Sequence, residues 1–249
     1  MIEILDRDGI AIVTMSHGKA NALDLEFCES IAAHLPLLGT KARGVVLTGQ
    51  GKIFSAGVDL VRLSTGARYI REFLPVLHKA FAAIFEFPKP IVAALNGHAI
   101  AGGCVLACAT DRRIMAKDSG RVGVTELQVG VPFPPLALEI MRHVTAHHYI
   151  EEVILGASTY TPEDALVRGL IHEIVAPDAL LDRAVAAANS LAAVSPAAYA
   201  LSKRQLRQTV AARIRREGEA WDAEVNDLWV ADVTAQRVRE YVSRTLKKG

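Results

Sequence analysis

Ile91-Val92-Ala93-Ala94-Leu95-Asn96-Gly97-His98-Ala99-Ile100-Ala101-Gly102-Gly103-Cys104 is the stretch on which the fold turns. Five apolar residues stop at an Asn-Gly turn, and a glycine pair then opens a helix of small residues over 102–109. Residues 91–110 have about the length of a membrane span. Asn96, His98, three glycines and two cysteines interrupt the run, and Pro90 and Asp111 bracket it, so it reads as buried structure within a soluble domain.

Working outward, strand and helix alternate. Residues 2–7 and 10–15 read as strands joined at Asp8-Gly9, a hairpin dipeptide. A helix is expected over 25–37, with Phe27, Ile31, Leu35 and Leu38 at helical spacing, ending near Gly39. Residues 44–49 form a wholly apolar strand of the kind buried on both faces. A polar loop to Thr65, a helix over 67–85, and strands over 112–116 and near 121–124 follow. Helices dominate from Pro134, over 136–142, 147–155, 162–168, 179–193 and 196 to about 217. The pattern predicts an α/β core over residues 1–195 and a helical C-terminal extension over 196–249.

Composition bounds the function. With 249 residues, 51% of them hydrophobic, the chain can bury a large core, which excludes disorder. Twenty-eight Lys+Arg against 27 Asp+Glu leave a formal charge of +1, so no global field concentrates nucleic acid or anionic lipid. Cys28, Cys104 and Cys108 are too few and too unevenly placed for a disulfide framework. No basic start precedes an apolar stretch at the N-terminus. A cytoplasmic location is the expectation, with no membrane partner.

Several motifs fail on inspection. Gly49-Gln50-Gly51-Lys52 lacks the upstream glycine and the Ser/Thr of a phosphate loop. Ser55 lacks the glycine two residues before it that a nucleophile elbow needs. His143 and His147 sit four apart, but Val144 stands where a zinc protease has Glu, and no metal site is expected. Two glycine-containing turns remain, Phe54-Ser55-Ala56-Gly57-Val58-Asp59-Leu60 and residues 96–104, each following an apolar strand. Two turns aiming bare N–H donors at one point would form an oxyanion hole.

Taken in order, Asn21-Ala22-Leu23, the 54–60 turn, Lys89 through Cys104, Asp111-Arg112-Arg113, Gly169-Leu170-Ile171-His172-Glu173-Ile174-Val175 and Ser195-Pro196 with Lys203 resemble the crotonase, or enoyl-CoA hydratase/isomerase, superfamily over essentially the whole chain. The resemblance implies a crotonase-like spiral of ββα units. It also implies C-terminal helices that pack across subunits in a homotrimer or hexamer, and an acyl-CoA thioester substrate. The Val58 and Gly102 N–H groups would hold the thioester oxygen. Lys19, Ala20, Ser55, Ala56, Asp59 and Leu60 would lie along the coenzyme A moiety, with Gly103, Thr125 and Pro134 completing the substrate-binding set. No separate cofactor is expected, because coenzyme A arrives as part of the substrate.

The family's hydratases hold a water between two glutamates. Here the first position is Val105 and the second is Glu126. Val131-Pro132-Phe133-Pro134-Pro135 replaces a glycine-rich turn that helps hold that water, and Pro134 has no N–H to give. One carboxylate beside an oxyanion hole suits moving a proton between carbons, as ketosteroid isomerase does. The expectation is therefore a Δ3-Δ2 enoyl-CoA isomerase with Glu126 as its catalytic residue, and a hydratase as the alternative. Glu72 and Glu139 are candidates for a second acid, and His98 for a pocket wall. A different class, an RNA-binding homologue, rests only on the basic stretch Lys203, Arg204, Arg207, Arg213, Arg215 and Arg216. That stretch lacks interleaved aromatics, so nucleic acid is not an expected partner.

Overall fold

A computed structural model of the chain describes residues 1–245. Residues 246–249 of the expected C-terminal extension lie outside the described residues. β1 (Ile2–Arg7) and β2 (Ile10–Met15) form the hairpin, with Asp8 and Gly9 both at positive φ. α1 (Leu25–Lys41) starts where the Asp24 carboxylate accepts from the Phe27 N–H, and it runs past Pro36 to Lys41, beyond the expected stop near Gly39.

Three strand pairs then repeat: β3 (Gly44–Gly49) with β4 (Ile53–Ser55), β5 (Ile91–Leu95) with β6 (His98–Ile100), and β7 (Arg112–Ala116) with β8 (Val122–Gly123). Between them lie α2 (Leu60–Leu63), α3 (Ala67–Phe85) and α4 (Gly102–Cys108). Both β4 and α2 fall in what the sequence presents as a polar loop. They are short pieces held by pairing to neighbours rather than by any periodicity of their own. The first strand of each pair joins a six-stranded sheet, and the second joins a four-stranded sheet. At each bend the chain passes very close to the preceding one. A Cβ on Gly97 would stand 1.7 Å from the Lys52 carbonyl oxygen, so only glycine fits there. The Asn96 side chain bridges the same bend, accepting from Gly49 N–H at 2.9 Å and donating to Gly51 O at 2.8 Å.

The chain continues through α5 (Pro135–Val144), α6 (Ile150–Leu155), β9 (Thr159–Tyr160), α7 (Pro162–Val167), β10 (Glu173–Val175), α8 (Leu180–Leu191), α9 (Pro196–Val230) and α10 (Asp232–Thr245). The large sheet has the order β1-β2-β3-β5-β7-β10 and is parallel except at β1–β2, while β4-β6-β8-β9 is parallel except at β8–β9. Alternate residues of the apolar strands enter two cores. Val45, Leu47, Ile91, Ala93 and Leu95 face the main core under α1, α3 and α4, while Val46, Val92, Ala94 and Ile114 face Ala184, Val185 and Ala188 of α8. This is the crotonase-like α/β architecture expected from the sequence.

The C-terminal helices depart from expectation in one respect. α9 does not end near residue 217 but continues to Val230, because Gly218 costs only about 1 kcal/mol inside a helix and buried Trp229 anchors the far end. The extension also packs on its own chain: α9 lies against α3 and α5, and α10 folds back onto α2 and the turn that carries Glu126. Among the described residues no single helix is long and apolar enough to cross a membrane.

Candidate active site

Leu23 and Val58 form an isolated parallel bridge in which Leu23 N–H donates to Gly57 O (2.8 Å) and Asp59 N–H to Leu23 O (3.0 Å). Backbone groups alternate sides along such a pairing, so the Val58 N–H faces away from Leu23. It has no hydrogen-bond partner among the described residues. Gly102 is the first residue of α4, where an N–H has no acceptor within the helix. A Cβ on Gly57 (φ +85°) would stand 3.0 Å from Gly102 N, and one on Gly102 would stand 3.7 Å from Val58 N. Two free N–H donors therefore flank one gap, with the positive end of α4 behind it. Ala101, just before the helix, holds φ 50° and ψ −129°, an uncommon conformation for a residue with a side chain. Its N–H is tied to Gly123 O at 2.8 Å.

The surrounding turn is over-determined. Buried Ser55 donates through Oγ to Asn21 O (2.7 Å) and accepts from Gly57 N–H (3.2 Å). Asn21 Nδ2 donates to Phe54 O (3.1 Å), and Ala56 N–H donates to Ala20 O (3.0 Å). Gly103 is pressed against this turn, since a Cβ there would lie 2.3 Å from Ser55 O. Asp59 is committed to capping α2, its Oδ1 accepting from Val61 and Arg62 N–H. Leu60 is half-buried, and Lys19 is exposed beside Ala20.

Glu126 opens a single 3-10 turn over Glu126–Val129, directly after Thr125, and is 8% exposed. Its Oε2 is buried without a hydrogen-bond partner among the described residues. Burial raises its pKa from 4.5 to about 7, against a smaller opposing pull from the Glu126 and Thr125 backbone N–H groups. The Cys104 thiol, one turn into α4, is pushed up by its hydrogen bond to Cys108, by burial, and also by Glu126. That links the carboxyl to the helix whose first residue is Gly102. Val105 is fully buried on α4, and Pro134 is half-buried where α5 starts.

Proteins of known family resemble the chain over most of its length. Residues 6–237 match the family model for enoyl-CoA hydratase/isomerase. The chain belongs to that family. It is 33% identical over 227 residues to the probable enoyl-CoA hydratase echA17 of Mycolicibacterium paratuberculosis, covering 86% of this chain and 88% of that one. The structure of a probable enoyl-CoA hydratase, EchA3, from Mycobacterium tuberculosis superposes with a TM-score of 0.84 at 30% identity, over 91% of this chain and 96% of that one. The human mitochondrial Δ3-Δ2 enoyl-CoA isomerase superposes with a TM-score of 0.94, over 99% of this chain and 98% of that one. At 23% identity that likeness speaks to the fold alone. Membership of this family implies acyl-CoA substrates.

Other sequence candidates fall elsewhere. Glu72 is exposed and paired with Arg68, and Glu139 is held between Arg142 (3.2 Å) and Arg213 (3.3 Å), so neither is an unengaged second acid. His98 accepts the Arg121 N–H through Nδ1. The basic stretch is largely spent on protein carboxylates: Lys203 and Arg207 on Asp111, Arg213 on Glu139, Arg216 on Glu217. Sequence reasoning missed the anchor of the Glu126 region, Trp229, whose Nε1–H donates to Pro132 O at 2.9 Å. A tryptophan near the end of a charged helix, the second in α9 after Trp221, was the available signal.

Proposed function

We propose that this chain is a Δ3-Δ2 enoyl-CoA isomerase in which Glu126 alone moves the proton. The observation that carries the reading is the Glu126 carboxyl, buried, with an unpartnered Oε2 and a pKa near 7, where the two other supports for a catalytic water have become Val105 and Pro134. The thioester oxygen of a 3-enoyl-CoA sits between the Val58 and Gly102 N–H groups. Lys19, Ala20, Ala56, Asp59 and Leu60 line the coenzyme A arm and Thr125 and Pro134 the acyl end, while buried Ser55 and Gly103, expected from the sequence to touch the substrate, hold the two turns together from behind.

Ionised Glu126 takes a proton from C2, and the electron pair of the broken C–H bond delocalises onto the thioester oxygen. Preorganised donors are worth several kcal/mol to such an oxyanion. The resulting dienolate reprotonates at C4 from the now neutral Glu126, the double bond moves to C2–C3, and the carboxylate is regenerated. A pKa near 7 makes Glu126 a competent base and a competent acid at neutral pH.

The test is to supply the purified protein with a 3-enoyl-CoA and, separately, a 2-enoyl-CoA in water. Conjugation of the first without hydration of the second supports the proposal, and fast hydration of the second overturns it in favour of a hydratase. Self-association as a trimer or a pair of trimers belongs to the same proposal and is read by light scattering.

A further inference from the structure

Away from the candidate active site, a cavity of about 380 Å³ lies where β7, α5 and the first turns of α9 meet, lined by Asp111, Arg112, His172, Tyr199, Lys203 and Arg207 among others. Its walls carry more positive charge than they neutralise. Asp111 accepts Lys203 Nζ at 2.7 Å and Arg207 Nη2 at 2.9 Å, and its Oδ2 also takes the Ile91 N–H. Arg113, only 3% exposed, has no carboxylate partner among the described residues. Its guanidinium donates to Leu170 O (2.8 Å) and Thr110 O (3.1 Å) and meets His172 Nε2 (3.3 Å). Arg112 shares Glu173 with Arg183, and the buried Arg112 Nε has no partner among the described residues. The lining itself holds three cations, Arg112, Lys203 and Arg207, and one carboxylate, Asp111; with Arg113, Arg183 and Glu173, which lie outside the lining, five cations share two carboxylates.

Helix-end carbonyls offset part of this excess, because Arg207 also donates to Phe85 O at the end of α3. Partial charges do not cancel the largely buried cations Arg113, Lys203 and Arg207, which Asp111 alone faces, whereas Arg112 and Arg183 are each more than a third exposed. The field is felt by the titrating groups. His172 is pulled down to about 4, first by loss of solvation and then by Arg113 and Arg112. Lys203 is pulled down to about 8 by burial and by Arg207, against the opposing pull of Asp111.

We propose that this cavity is an anion site that takes a phosphate group, either inorganic phosphate or the headgroup of a small phosphomonoester. Arg112, Lys203, Ser202 and Tyr199 supply the donors. The bound anion ties α9 to β7 and to the His172 segment that leads into β10, and so stabilises the docking of the C-terminal helices on the core. The site is independent of the proposed reaction and contains none of its residues.

The test uses the full chain. Inorganic phosphate, glycerol phosphate and chloride are titrated at matched ionic strength while Tm and the His172 imidazole NMR signals are followed. The expected result is a saturable rise in Tm with phosphate and not with chloride, accompanied by movement of the His172 signals. The glycerol phosphate arm tells a free-ion site from one that accepts a monoester. Ser202→Asp places a carboxylate at the exposed edge of the cavity. It is expected to raise the basal Tm and abolish the response to phosphate, and Arg112→Gln to weaken that response. Equal responses to phosphate and chloride would overturn the proposal. So would an undiminished phosphate response in Ser202→Asp, or a phosphate-driven change in oligomer mass that leaves His172 unmoved.

Discussion

Glu126→Gln is expected to abolish turnover and, above neutral pH, to make the protein more stable. The folded chain holds the Glu126 proton more tightly than the unfolded chain does, with a pKa near 7 in place of 4.5. Stability from this group is therefore fully present below about pH 4.5, declines as pH rises, and is lost by the time pH passes 7. Glutamine at 126 does not titrate. At about 1.4 kcal/mol per pH unit of displacement, the stability difference between variant and wild type shifts by about 3 kcal/mol in the variant's favour between pH 4 and pH 8.5. Comparing two pH values removes the pH-independent cost of placing an amide where Oε2 has no partner. Urea unfolding of both proteins at both pH values, at equal protein concentration, measures the shift. A difference that stays constant within about 0.5 kcal/mol, or moves the other way, would refute a buried, proton-retaining Glu126.

Activity should report the same group: kcat/KM for a 3-enoyl-CoA rises with pH around a midpoint near 7 as Glu126 ionises, and a midpoint near the ordinary carboxylate value would argue against it. Gly103→Ala should cost at least 1–3 kcal/mol of stability, because its Cβ would lie 2.3 Å from Ser55 O; thermal unfolding reads this. Trp229→Phe keeps the packing but leaves Pro132 O without its donor, so a loss of about 1 kcal/mol is expected, together with a lower kcat as the chain between Glu126 and α5 loosens. Val105→Glu alone should not confer hydration of a 2-enoyl-CoA, since Pro134 still lacks an N–H; a spectrophotometric hydration assay settles it.

The large sheet apart from β10, and the site turns, were legible because they rest on local signals: apolar strands buried on both faces, Asp8-Gly9, and glycines where two chains nearly touch. Strands β4 and β6 were not legible. Each has three residues and is held only by pairing with the next turn of the spiral, so neither has room to show a period. The continuation of α9 was hidden by Gly218, which reads as a stop in sequence but is carried through by the anchored Trp229. The residues of the candidate site were nameable from motif order. Their juxtaposition depends on Leu23 pairing with Val58 and on Gly57 reaching Gly102, contacts between segments far apart in the chain. The pairing of Lys203 and Arg207 with Asp111 was likewise invisible, because a basic helix face looks the same whether water or a buried carboxylate meets it.

The claim that one carboxyl moves one proton is tested most directly with a 3-enoyl-CoA carrying deuterium at C2, turned over once in ordinary water. If Glu126 takes the label and returns it, a substantial share of the 2-enoyl product carries deuterium at C4, and Glu126→Gln forms no product. Product with only solvent hydrogen at C4, or undiminished turnover by Glu126→Gln, would contradict the account.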